Sequence, residues 1–138
     1  MAAGNHRPQA AAEYEKVAAD YERLGKTNPA DLHDQAIIEA NDWLAAWYLK
    51  RGERARSLGY YRSNIRALTG LNGADAVVAL ALDQERLGDA LAPTDPASAV
   101  DCYRDAATIW KRLSDAGPLL PMDADKPKEV ERKLSAFK

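Results

Sequence analysis

The chain has 138 residues, 46% hydrophobic and 29% charged, with a formal net charge of −2. That mix excludes a disordered chain, and the length suits one folded unit with a true core. The near-balanced charge excludes a global basic field that would draw the protein onto nucleic acid or an anionic membrane.

The predicted elements are all helical. Ala, Leu, Arg, Glu and Asp are abundant and Phe occurs once. No segment shows the sustained apolar–polar alternation of a strand. Residues 1–8 read as a flexible tail, without the basic start and apolar stretch of a secretory signal. The first helix runs from about Gln9 to Leu24, with Tyr14, Val17, Tyr21 and Leu24 on one stripe and Gly25 just past its end. Asn28-Pro29 restarts the chain as a cap followed by proline in the first turn. The second helix then continues to about Arg51, with Gly52 as its stop. It carries two apolar stripes: Ile37, Leu44 and Tyr48, and Ala36, Ala40, Trp43 and Trp47. A helix apolar on two sides packs between neighbours.

The third helix, about Glu53 to Thr69, presents Leu58, Tyr61, Ile65 and Leu68 and stops at Gly70. The fourth, about Ala74 to Leu91, presents Val77, Leu80, Gln84, Leu87 and Leu91, with Gly88 beside them. Asp95-Pro96 opens the fifth, which turns Ala99, Tyr103, Ala106, Trp110 and Leu113 inward and ends at Gly117-Pro118. Leu119 to Asp125 is an irregular connection. A sixth helix, about Lys126 to Phe137, has only Val130, Leu134 and Phe137 as an apolar edge, which suits a capping helix wet on its other sides. Short links favour antiparallel neighbours.

A pattern recurs across these helices. Tyr14, Tyr21 and Leu24 share their mutual spacing with Tyr61, Leu68 and Leu71, and again with Tyr103, Trp110 and Leu113, at offsets of 47 and 42 residues. Self-similarity at such a period implies stacked supersecondary units, none able to bury its apolar face alone. Within the last copy, Leu87-Gly88, Leu91, Ala99, Tyr103 and Ala106 resemble the tetratricopeptide repeat (TPR). The preceding copy, Leu44-Ala45, Tyr48, Ser57, Tyr61 and Asn64, is looser. Alanine stands for the family glycine, Asn64 for the family alanine, and the large residue early in helix A is missing in both copies (Asn41 and Gln84).

The resemblance covers residues 10 to 117 and implies an all-α fold: antiparallel helical hairpins stacked as a short TPR-like solenoid of about six helices, a single domain over residues 9–138. It also implies a binding surface. In this family the A helices line a concave face that takes a peptide. By position, that face includes Glu39, Asp42, Ala46 and Leu49 from the second helix and Glu85, Arg86 and Asp89 from the fourth. The lining is mostly acidic and lacks the Lys and Asn clamp that the family's chaperone-tail receptors use. A basic or neutral protein or peptide partner is therefore expected.

Signs of chemistry are few. His6 and His33 are isolated, and no His-x3-His or Cys-x2-Cys pair suggests a metal site. Cys102, alone, forms no internal disulfide and reads as a packed thiol. There is no Gly-rich phosphate loop and no nucleophile elbow. The expectation is a non-enzyme without cofactor or metal. A lone cysteine and the lack of any apolar run near the roughly 20 residues of a membrane span point to the cytoplasm, for a small whole protein or a piece of a larger one. Trp43 and Trp47 read first as core, with a peptide anchor as the alternative. Lys50 to Arg66 is locally basic, the basis of a weaker nucleic-acid reading. Self-association through the open face of the first helix, in a structural scaffold, is the other alternative.

Overall fold

Six α-helices and no strand make up the described residues (7–25, 35–71 and 73–137) of the computed structural model. They are α1 (Arg7–Gly25), α2 (Gln35–Lys50), α3 (Arg54–Leu68), α4 (Ala74–Leu91), α5 (Pro96–Ala116) and α6 (Lys126–Ser135), with one 3-10 turn at Pro121–Asp123 before α6. Gly52 and Gly70 take φ of 79° and 92° just past α2 and α3. That left-handed backbone is costly for any residue with a Cβ, which is why these two glycines end their helices. At the start of α5, the Asp95 carboxylate accepts the Ser98 N–H at 3.2 Å and Pro96 sits in the first turn. α1 includes Gly25 and opens at Arg7, inside the expected tail. The Asn28-Pro29 start, His6 and His33 lie outside the described residues.

The contacts divide the chain into two compact units, Met1–Ala67 and Leu68–Lys138. In the first unit α2 and α3 run antiparallel. Fully buried Ser57 donates to the Ala45 carbonyl at 2.7 Å. Further along, Asn64 Nδ2 donates to the Ile38 carbonyl at 3.0 Å. α1 packs on α2 as well, where Ala11, Leu44 and Tyr48 are buried together with Tyr14, Ala18, Trp43, Trp47 and Tyr60 of α3 against them. Tyr14 meets Trp43 at 4.8 Å between ring centroids, and Trp43 stacks on Trp47 at 5.3 Å. The two tryptophans are half-buried within this unit's core edge.

In the second unit α4 and α5 form a tight hairpin. Leu87, Ala90, Leu91, Ala99, Tyr103, Ala106, Ile109 and Trp110 are buried. Gly88 is the point of closest approach: a Cβ built there would lie 2.7 Å from Tyr103 Cε1. α6 adds Val130, which is wholly buried, and Phe137 lies 5.9 Å from the Tyr103 ring. The recurring pattern is visible in burial. Tyr61 and Leu68 are buried like Tyr103 and Trp110, whereas Tyr14 and Tyr21 of the first copy are half-buried.

Candidate functional site

The first unit carries an open groove of about 600 Å³. Two helical rails form its sides. α1 contributes Glu15, Ala18, Ala19, Tyr21 and Glu22, and α3 contributes Arg56, Gly59, Tyr60, Ser63, Arg66 and Ala67. Both sets repeat every three or four residues, as one face of a helix does. Ile37 and Asn41 of α2 make the floor. Small residues on the rails (Ala18, Ala19, Gly59, Ser63 and Ala67) keep the groove open. The α3 rail extends about 16 Å at 1.5 Å per residue.

Charges of both signs border it. Arg56 pairs with Glu15 at 3.1 Å, joining α3 to α1. The same guanidinium sits 4.0 Å over the Tyr48 ring and within 3.6 Å of Glu53. Burial, then the nearby Glu15 carboxylate, push the Tyr60 phenol above its ordinary pKa, so it remains a neutral hydrogen-bonding group. Arg66 donates to Ser63 Oγ at 3.2 Å. Arg51 lies 3.9 Å from Glu53 and 5.0 Å over the Trp47 ring. The basic stretch 50–66 thus spends Arg51 and Arg56 on carboxylates and rings.

Beneath the floor lies a polar network that composition does not announce. Asn41 Nδ2 donates to Asn64 Oδ1 at 2.9 Å, and Asn64 Nδ2 serves both the Ile38 carbonyl and Asp42 Oδ1, the latter at 3.1 Å. Asn64 is 0% exposed. The two residues that depart from the repeat pattern in this copy, Asn41 and Asn64, are therefore partners of one another. A spacing argument made on each helix alone treats them as unrelated exceptions.

The surface expected from the resemblance falls on both units. On α2, Glu39 and Ala46 are exposed, and Asp42 and Leu49 half-buried, at spacings that put all four on one helix face. Asp42 is engaged by Asn64. On α4, Arg86 and Asp89 are exposed while Glu85 is only 5% exposed. Arg86 reaches buried Asp83 at 3.2 Å. Lys133 of α6 occupies the two acidic side chains, with Nζ 2.5 Å from Glu85 Oε2 and 3.0 Å from Asp89 Oδ2. The Tyr103 hydroxyl donates to Asp89 Oδ1 at 2.5 Å.

These contacts shift the titrations. Burial raises the Glu85 carboxyl above the usual range, against the pull of Lys133; its hydrogen bond to Glu129 adds to the rise. Burial would raise Glu129 too, but the bonds from Glu85 and Lys126 outweigh it and the net direction is down. Burial alone would lower Lys133, and the bonds to Glu85 and Asp89 carry it upward instead. Tyr103 is raised by burial first and by Asp89 second. No sequence signal pairs Glu85 with Lys133, which lie 48 residues apart.

Cys102 is buried. Among the described residues no three His, Cys, Asp or Glu side chains converge as metal ligands, and no helix is long and apolar enough to cross a membrane. Compared with known proteins, the chain matches no family model, no curated protein and no solved structure.

Proposed function

We propose that this chain is a non-enzymatic protein-interaction module of TPR-like hairpin type, and that the groove of the first unit receives a peptide segment of a partner. The groove carries the reading. It is open, has Ile37 in its floor and small residues on its rails, and offers hydrogen-bonding groups (Tyr60 and Ser63) along its length. Sites that take peptides combine apolar contact with a few such groups that fix register. An extended segment rises about 3.3 Å per residue, so the α3 rail matches roughly five residues. A basic or neutral partner fits the α1 rail at Glu22, since Glu15 is held by Arg56.

The test is selection of peptides from a displayed library against the full chain, with affinities read by fluorescence anisotropy. Gly59→Arg fills the groove, and no atom lies within 4 Å of a Cβ at Gly59. Glu39→Lys with Ala46→Arg instead changes the α2 face. We expect the groove variant to weaken binding at least tenfold and the α2 variant to leave it unchanged. Loss only with the α2 variant moves the site to that face. Loss with neither removes the proposal.

A structural, self-associating role is the second reading. It is favoured by Leu120 and Met122, which are 60% and 80% exposed beside α6. Light scattering across concentration separates the two, since a strict monomer excludes self-association.

A further inference from the structure

α4 and α5 pack most extensively on each other, and α6 packs on α5. The close approach of Gly88 to Tyr103 joins those two helices, which also carry the buried Leu87, Leu91, Ala106 and Trp110. α6 is of another kind. It has ten residues, one of them, Val130, buried, and it follows a connection containing Gly117, Pro118 and Pro121. Ten-residue helices are marginal by themselves, so α6 depends on what it touches. Val130 supplies the apolar anchor, Phe137 meets Tyr103, and Lys133 sits between Glu85 and Asp89. Glu85 and Asp89 are residues that positional reasoning assigns to partner recognition, and in this structure the chain's own lysine holds both.

We propose that α6 is an intramolecular occupant of a lysine-recognition face on α4 and α5, displaced by a partner helix that repeats its apolar-x-x-Lys pattern. The face recognises charge and shape together. Two carboxylates one helical turn apart cradle an ammonium group, and an apolar seat lies three residues earlier on the incoming helix. Loss of α6 exposes an acidic pair beside an aromatic ring, a surface suited to a cationic helix and repellent to an acidic one. This inference concerns the second unit and stands independently of the groove in the first.

Two measurements on the full chain test it. Hydrogen exchange of the unmodified protein reads whether α6 opens alone. We expect amides of α6 to exchange at least tenfold faster than those of buried α4 and α5. Exchange of all three in step makes α6 a fixed part of the fold and overturns the proposal. The second measurement uses a fluorescent peptide of residues 124–138, titrated against wild type and Lys133→Met. The open variant should bind it at least tenfold more tightly than wild type, and adding Glu85→Gln and Asp89→Asn should abolish the binding. If Lys133→Met keeps the helical circular-dichroism signal yet binds no better than wild type, the proposal fails. Should Lys133→Met lose most of the helical signal, beyond the share of α6 itself, α6 is required for folding, and the proposal fails equally.

Discussion

Gly88→Ala and Gly59→Ala are the same chemical change in the middle of two helices, and they should act in opposite directions. Alanine is favoured over glycine in a helix interior by about 0.8–1.0 kcal/mol. At Gly59 nothing lies within 4 Å of the new methyl, so most of that gain should appear as added stability. At Gly88 the methyl would meet three Tyr103 ring atoms at 2.7, 3.0 and 3.1 Å. The ring cannot swing away cheaply. It is 3% exposed, and its hydroxyl is held by Asp89. Overpacking of this kind costs about 1–3 kcal/mol. Weakening the bond to Asp89 adds about 1 kcal/mol, a low figure because that carboxylate is 46% exposed. The net expectation for Gly88→Ala is a loss of about 2 kcal/mol, or roughly 10 °C in the melting of a unit this size. Urea and thermal melts by circular dichroism measure both variants. A Gly88→Ala protein as stable as Gly59→Ala would refute the close-packing argument for the second unit.

Four further outcomes are expected. Asn64→Ala should cost about 3 kcal/mol, because it leaves Asn41, Asp42 and the Ile38 carbonyl without that partner. Asn41→Ala with Asn64→Ala should cost less than the two singles together by about 1 kcal/mol or more, measured as a double-mutant cycle in urea. Ser57→Ala should cost only about 1 kcal/mol by the same melts, since it removes the donor to Ala45 and leaves a volume that alanine nearly fills. Alkaline pH should loosen the second unit. Lys133 and Tyr103 both have folded pKa values raised above their ordinary 10.5 and 10.0. Their contribution is complete below those ordinary values and is lost as pH rises through the folded ones. Melts from pH 8 to 11.5 should show the decline, and Glu85→Gln with Asp89→Asn should flatten it. A decline of equal slope in that variant would mean the contacts around Lys133 do not carry it.

Much of the helical layout is legible from local chemistry. Gly52 and Gly70 end helices because they supply a left-handed backbone, and Asp95-Pro96 begins one because it satisfies a first-turn N–H where proline needs none. The spacing of Tyr61 with Leu68, and of Tyr103 with Trp110, marks the buried faces because helical period and burial are the same geometric fact seen twice. The candidate groove was less legible. Its rails come from α1 and α3, whose lining residues Glu15 and Arg56 are 41 positions apart, and small residues on a rail look the same in sequence as small residues in a core.

The order of helices and most of their stops and apolar stripes follow from the amino-acid sequence alone, because each depends on neighbours within a turn or two; α1 departs, with Gly25 inside it and Val17 exposed. Tertiary structure alone decided the division into two units, the pairing of Asn41 with Asn64 and the seating of Lys133 on Glu85 and Asp89. Those depend on which faces meet across dozens of residues. A carboxylate on a helix reads identically in sequence whether water or a distant lysine receives it.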